Sequence, residues 1–320
     1  MRIGLTYNLK PEHASGDQFE EFDSVETIEA LEAALRVCGH QPVRLGWGAA
    51  MVDALRVTPV DGVFNLAEGV GGRGRESQVP AVLEMLGIPC TASDAVAIGI
   101  TLDKPLAKLM AKAHGIATAP WFVESGGQPP SAVRTGEGAR PPLRFPLFVK
   151  PAAEGSSMGI TVRSICRNER ELEESIARVS KYGPVLVEEF LSGDEFTVGI
   201  IAGKVVGVMQ VIPRKNKNDF IYSLEVKRDY QENVEYRLVD EPRAAAVAKA
   251  IWDAFGLRDV ARVDVRCDRD GVANFVEVNP LPGMNPVTSD LVILSEKAGW
   301  TYNGVIGGIM RSAEERWRAA

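Results

Sequence analysis

Histidine and cysteine are scarce in this chain. The only histidines are His13, His40 and His114, and the four cysteines (Cys38, Cys90, Cys166, Cys267) lie far apart with no C-x-x-C spacing. That distribution excludes a disulfide framework and a Cys/His zinc site, and it points to a reducing compartment. A basic excess is also missing: 36 Lys and Arg against 43 Asp and Glu give a formal net charge of −7. A chain with that balance has no broad surface for a nucleic-acid backbone, so nucleic acid is excluded as the main partner. Nowhere is there a run of roughly 18 apolar residues, and the apolar stretch within MRIGLTYNLK is too short for a signal sequence. The expectation is a cytoplasmic protein without a membrane partner. Internal repeats are lacking too. At about 150 residues per unit, 320 residues make about two compact units rather than one small module.

The pattern that is present is α/β. Ile3, Leu5 and Tyr7 alternate as in a strand, and Asp23-Ser24 precede a helical series of Val25, Ile28, Leu31, Leu35 and Cys38. Gly62 to Leu66 reads as a second strand, Gln78 to Leu86 as a helix stopped by Gly87, and Ile88 to Thr91 as a short strand. The first hundred residues therefore predict a small doubly wound α/β unit. A helix from Lys104 to His114 follows, then a Gly-, Pro- and Ser-rich loop from Glu124 to Arg144. Leu147 to Lys150 reads as a strand, and Asn168-x-x-Glu171 opens a helix. Beyond residue 184 the chain is strand-rich and α+β in character. Gly203-Lys204 is the expected turn there, and Ala244 to Phe255 the expected helix.

Two strand-like runs, 261–266 and 273–279, flank Asp270-Gly271, a favoured two-residue hairpin turn. That turn sets Asp264 opposite Glu277 and Arg262 opposite Asn279, all on one face, with Val263, Val265, Val276 and Val278 on the other. Facing carboxylates repel unless a cation lies between them. Asp264, Glu277 and Asn279 suit a hard divalent ion on a nucleotide, with Arg262 available to a developing anion. A solvated sheet face with ordinary salt bridges is the alternative. Lys150 at a strand end precedes the small residues of PAAEGSSMG, which let backbone N–H groups approach phosphate oxygens, although an ordinary turn reads the same way. Gly69-Val70-Gly71-Gly72-Arg73-Gly74, with Asp94 beyond it, fits a dinucleotide fingerprint. It lies well past the first βα unit, however, Arg73 and Arg75 suit a single anion equally, and a nicotinamide reading leaves Lys150, Asp264, Glu277 and Asn279 unexplained.

GIPCTAS, LDKPLAK, FPLFVKPAAEGSSMG, VLVEEFLSGDEFTV, ARVDVRCD and FVEVNPLPGMNP occur in that order between about Val63 and Met310. Together they resemble the ATP-grasp superfamily and, more closely, the D-alanine–D-alanine ligase family. The resemblance implies an ATP-grasp fold: a pre-ATP-grasp α/β domain at 1–100, a central subdomain at 101–183 and a C-terminal subdomain at 184–320. It also implies a cytoplasmic ligase of cell-wall type. One substrate carboxylate takes the γ-phosphate of ATP, and an amine then captures the acyl phosphate to give an amide, ADP and phosphate. By matching motif positions, Lys104, Lys150 and Lys227 contact phosphates, Glu188 lies beside adenine and Glu195 on the ribose. Asp264, Glu277 and Asn279 hold two magnesium ions, or manganese in their place. Arg262 stabilises the tetrahedral intermediate, and Ser156 and Gly283 line the reaction centre. Partners are amino-acid substrates, and the family implies a homodimer.

The departures lie in the amino-acid pockets. Glu68 stands where the family has histidine, and Arg228 replaces the tyrosine that pairs with the serine matching Ser156. Thr288-Ser289 replaces a Ser-Leu pair, and Asp17 and Glu21 are only loose matches to the ammonium-binding glutamate. At least one substrate other than D-alanine is therefore expected, a secondary-pathway ligase being the alternative, as is an Arg228 that holds either a substrate carboxylate or a loop carboxylate. A non-catalytic nucleotide-binding protein is the remaining alternative.

Overall fold

The structure, a computed structural model, describes residues 1–11, 19–124, 143–155, 157–214 and 220–319. Ser156, Asp17 and nearly all of the expected 124–144 loop lie outside the described residues.

The first unit is built on a parallel sheet in which β1 (Arg2–Thr6) lies between β2 (Gln41–Gly46) and β3 (Gly62–Asn65). Helix α1 (Val25–Val37) begins at Ser24, whose side chain accepts a hydrogen bond from Thr27 N. Its Ile28, Leu31 and Leu35 are buried against Ile3 and Leu5, whereas Val25, at the start of the series, stays exposed. Helices α2 (Ala49–Val57) and α3 (Gln78–Met85) cover the opposite face through Met51, Val79 and Leu83. The expected strand at 88–91 shrinks to one parallel bridge between Val63 and Cys90. Helices α4 (Ala95–Leu102) and α5 (Lys104–Ala113) lead out of this unit.

A four-stranded antiparallel sheet follows, ordered β4 (Trp121–Glu124), β7 (Val185–Glu189), β5 (Leu147–Pro151), β6 (Ile165–Cys166), with α6 (Glu169–Val179) packed on it. The Asn168 side chain accepts from Glu171 N at 3.0 Å, while the Glu171 carboxylate turns back to Arg167 N at 2.8 Å. β7 falls beyond residue 184, yet its Val185 and Val187 join Leu147 and Val149 in the core of this sheet. A division at 184 therefore cuts through the central sheet.

The second antiparallel sheet runs β10 (Val234–Val239), β9 (Lys204–Pro213), β8 (Glu195–Ile201), β11 (Val260–Cys267), β12 (Ala273–Asn279). Its β8–β9 turn is Ala202-Gly203, both with positive φ, one residue earlier than expected. Helix α9 (Pro242–Ala254) buries Ala244, Ala248 and Ile251 against Val198, Val263 and Val265. Helices α7 (Leu224–Arg228) and α8 (Tyr230–Asn233) fill the connection from β9 to β10.

The β11–β12 hairpin corrects the expected register in an instructive way. Gly271, at φ 80, donates to Asp268 O, and Asp268 N donates to Val272 O, so three residues rather than two make the turn. That shifts the pairing by one, to Val265 with Phe275 and Arg266 with Asn274. A bulge at Val276 then restores it, leaving Asp264 opposite Glu277 and Arg262 opposite Asn279. Because of the bulge, Val276 faces the same cleft as Glu277 instead of the apolar side.

Helices α10 (Asp290–Lys297) and α11 (Tyr302–Ala319) end the described chain. The buried stripe of α11, Val305, Ile306, Ile309 and Met310, completes the core of the first unit beside Ile28 and Leu31. No helix among the described residues is long and apolar enough to cross a membrane. Ile309→Ala is expected to remove about 3 kcal/mol of stability in urea unfolding, the usual cost of a large-to-small change at a fully buried site. A loss below about 1 kcal/mol would show that the helix adds little to that core.

Candidate functional site

A cleft of about 780 Å³ opens between the two antiparallel sheets. Its floor is laid by strand geometry: Phe148 and Lys150 from β5, Glu188 from β7, Glu195 from β8, Asp264 and Arg266 from β11, Glu277 from β12. Lys104, at the start of α5, and Lys227, on α7, close it from the side. Asp103 caps α5 by accepting from Leu106 N at 2.9 Å, which fixes the turn on which Lys104 sits.

Glu188 holds the cleft's inner end. Its two carboxylate oxygens each lie 2.7 Å from a lysine, Lys150 on one side and Lys108 on the other, and all three side chains are buried. Burial alone would raise the Glu188 carboxyl, but the two ammonium groups hold it down at about 2. Lys108 also donates to Thr118 Oγ1 at 2.7 Å, and its own pKa is pushed down by burial. The sequence reading missed Lys108. The available signal was a lysine among Ala107 and Ala111 on the apolar face of α5, where a charge requires a partner.

At the other end Asp264 and Glu277 face each other. Thr197 Oγ1 donates to Asp264 Oδ1 and Arg262 to its Oδ2, both at 3.0 Å. Glu277 lies deep in the cleft but opens onto it, 3.6 Å from Lys104 and 3.8 Å from Arg262. Burial would raise both carboxyls. It carries Asp264 up to about 6, while Lys104, Lys150, Lys227 and Arg262 bring Glu277 down to about 2. Neither oxygen of Glu277 accepts a hydrogen bond from a described residue. A facing pair of carboxylates with one member open to the cleft suits a hard divalent cation; Asn279, two residues beyond Glu277 on β12, carries an amide oxygen that accepts from Leu281 N at 3.0 Å. Arg262 is braced from behind by Asp290 at 3.6 Å, and Tyr222 and Tyr236 both donate to Asp290. Arg266 was also missed: it reaches Glu195 at 3.1 Å and stacks over Phe190, with 4.9 Å between the guanidinium carbon and the ring centre.

A second cavity, about 450 Å³, adjoins the first across Lys104 and Glu277. Arg262, Asn279, Gly283, Thr288 and Ser289 line one side, and Glu20, Glu21, Glu68 and Glu76 the other. Gly283 has to be small, since a Cβ there would come within 2.9 Å of Ser289 Oγ, which itself accepts from Asn285 N. Arg228 points across this cavity to Glu20, 2.7 Å away, and Lys10 meets the same carboxylate at 3.1 Å. Arg228 is thereby tied to a carboxylate of the loop before α1. The glycine-rich 69–74 loop makes no anion site: Arg73 is bonded to Asp103, and Arg75 lies 2.8 Å from Glu21.

Glu188→Gln is expected to leave two buried ammonium groups short of a counter-charge and to destabilise the fold by about 3 kcal/mol. With its folded pKa held near 2 against an ordinary 4.5, the Glu188 contribution is present above pH 4.5 and lost as the pH falls toward 2. Acid unfolding of Glu188→Gln should thus show a flatter limb across that range than the parent, and identical limbs would show that Glu188 makes no such contribution.

Comparison with known proteins gives a family model and several relatives. The model described as the D-ala D-ala ligase C-terminus matches residues 110–311. A D-alanine–D-alanine ligase of Aquifex aeolicus is 31% identical, the match covering 92% of this chain and 97% of that protein. An uncharacterised protein of Sinorhizobium fredii is 30% identical over 90% of this chain and 88% of its own. Among solved structures, a D-alanine–D-alanine ligase of Bacillus anthracis complexed with ATP superposes with a TM-score of 0.76 at 22% identity, covering 100% of this chain and 99% of that one.

Proposed function

Because this chain belongs to the D-alanine–D-alanine ligase family, a family of ATP-dependent ligases that form carbon–nitrogen bonds between small amino-acid substrates, we propose a specific division of labour among its residues. The carrying observation is the meeting of Asp264, Glu277, Arg262 and Lys104 at the wall shared by the two cavities. ATP occupies the cleft between the sheets. Lys104, Lys150 and Lys227 neutralise its phosphates, Glu188 and its strand β7 frame the adenine side, and Glu195, held on one oxygen by Arg266, is placed for a ribose hydroxyl.

Asp264, Glu277 and Asn279 would hold magnesium, which when bound screens the phosphates and polarises the transferred phosphoryl group. In the second cavity the reacting carboxylate approaches from the side of Arg262 and Gly283. Arg262, braced by Asp290, lies where negative charge develops as the amine attacks the acyl phosphate, and Gly283 leaves room for the substrate backbone. The 157–158 turn and the segment before α7 meet where Ser157 Oγ donates to Tyr222 O at 3.0 Å, which keeps water from the intermediate. Cytoplasmic, homodimeric operation and a three-unit organisation, with β7 counted in the central unit, go with the same proposal.

Glu277→Gln should abolish amino-acid-dependent phosphate release while the protein remains folded by circular dichroism, because an amide keeps the shape but weakens cation binding. Full activity in that variant would reject the site. Arg228, as a positioning residue, ties the Lys227 helix to the first unit. Arg228→Ala should lower kcat by about tenfold for every substrate with little change in KM, the signature of lost closure. The double reversal Glu20→Arg with Arg228→Glu should recover part of that loss. A rise in KM for one amino acid alone would instead make Arg228 a reader of substrate.

A further inference from the structure

The wall that the first unit gives to the second cavity is made of carboxylates. Glu21, Glu68 and Glu76 each place an oxygen within 4.8 Å of the others. Among the described residues a single guanidinium, Arg75, serves them: it lies 2.8 Å from Glu21, 3.7 Å from Glu76 and 3.8 Å from Glu154. Glu76 is only 7% exposed, yet it accepts no hydrogen bond from any described residue, Arg75 standing beyond hydrogen-bond reach, and it faces the cavity. Glu68 has neither a hydrogen bond nor an ion pair with a described residue and faces the same space. The next cation, Lys104, is already bonded to Glu154 O and lies 3.6 Å from Glu277. Recessed carboxylates without donors cost free energy, and three that face one another add their mutual repulsion. Burial and that repulsion push the Glu68 and Glu76 carboxyls up.

The balance of charge bears on the ligand. Glu21, Glu68, Glu76 and Glu154 surround one arginine. An ordinary zwitterionic amino acid must turn its carboxylate toward the nucleotide to react, which brings one ammonium to this wall, enough to hold only one of Glu68 and Glu76 as a carboxylate. Resting on the ligase reading above, we infer that the substrate seated against Glu68 and Glu76 is a diamino acid, whose second cationic nitrogen is held by these two carboxylates. Glu68 and Glu76 are then the specificity-determining residues of the site, while Glu21 is held in place by Arg75 and by contact with Gly155, where a Cβ would collide with its Oε1.

The test is calorimetric titration of the full chain, with Mg²⁺ and a non-hydrolysable ATP analogue present. The probes are 2,3-diaminopropionate, 2,4-diaminobutyrate, ornithine and lysine in both configurations, against alanine, serine and norvaline. At least one diamino acid should bind about tenfold or more tighter than its neutral counterpart, and Glu68→Gln and Glu76→Gln should each erase most of that preference. A Tm at or above the parent's verifies that the variants fold, since each removes an uncompensated carboxylate. A preference for neutral amino acids, or a diamino-acid preference unchanged in both variants, overturns the inference. So does Ca²⁺ or Mg²⁺ binding alone that is lost in Glu68→Gln without any diamino-acid preference, which would make the cluster a metal site. Phosphate release separates the two readings. Turnover with neutral amino acids only keeps the ligase and overturns the diamino acid; Glu68-dependent binding of a diamino acid with no turnover on any amino acid keeps the pocket and overturns the ligase assignment of this site.

Discussion

Glu277 is the charge around which the molecule is arranged. Four cations lower its pKa, and they come from four separate elements: Lys104 from α5, Lys150 from β5, Lys227 from α7 and Arg262 from β11. None of them makes a close hydrogen bond to it, so the carboxylate acts at a distance of 3.6 Å or more as an electrostatic focus. Such a focus lowers the cost of holding like-charged lysines together in a cleft, provided the anion stays ionised. At the inner end Glu188 does the same work through direct contact, pinning Lys108 and Lys150 at 2.7 Å. Between them the two glutamates offset the mutual repulsion of the lysines gathered at the cleft.

Much of this was legible in the sequence, although one correct pairing came from two compensating errors. The reading of Asp264 opposite Glu277 assumed a two-residue turn, whereas the turn has three and the bulge at Val276 restores the register. Turn length depends on whether Gly271 takes a left-handed conformation as a third loop residue, and a bulge depends on packing across the sheet. Neither is written in the alternation of Val and charged residues, so Val276 was assigned to the wrong face. By contrast, the amphipathic α1 and α5 and the strand β5 stand close to their expected positions, because periodicity alone determines their buried faces.

The site residues that escaped the sequence reading share one property: each is defined by a partner far away in the chain. Lys108 has meaning only beside Glu188, Arg266 beside Glu195, and Asp290 beside Arg262. The proposed nucleotide residues come from family motifs of shared order and spacing, whereas Glu68, on the acidic wall of the second cavity, stands where this chain departs from the pattern. Glu68 was noticed as a departure; its company with Glu21 and Glu76 is a tertiary fact.

The placement of α11 has a consequence for how the protein is made. Ile3, Leu5, Ile28 and Leu31 are synthesised well before Val305, Ile306, Ile309 and Met310, yet these four residues of α11 complete their hydrophobic core. During translation the nascent parallel sheet therefore waits with one apolar face uncovered while both antiparallel sheets emerge. That face stays open to chaperones until α11 emerges, and covering it requires α11 to return to the parallel sheet across the whole length of chain that forms the two antiparallel sheets.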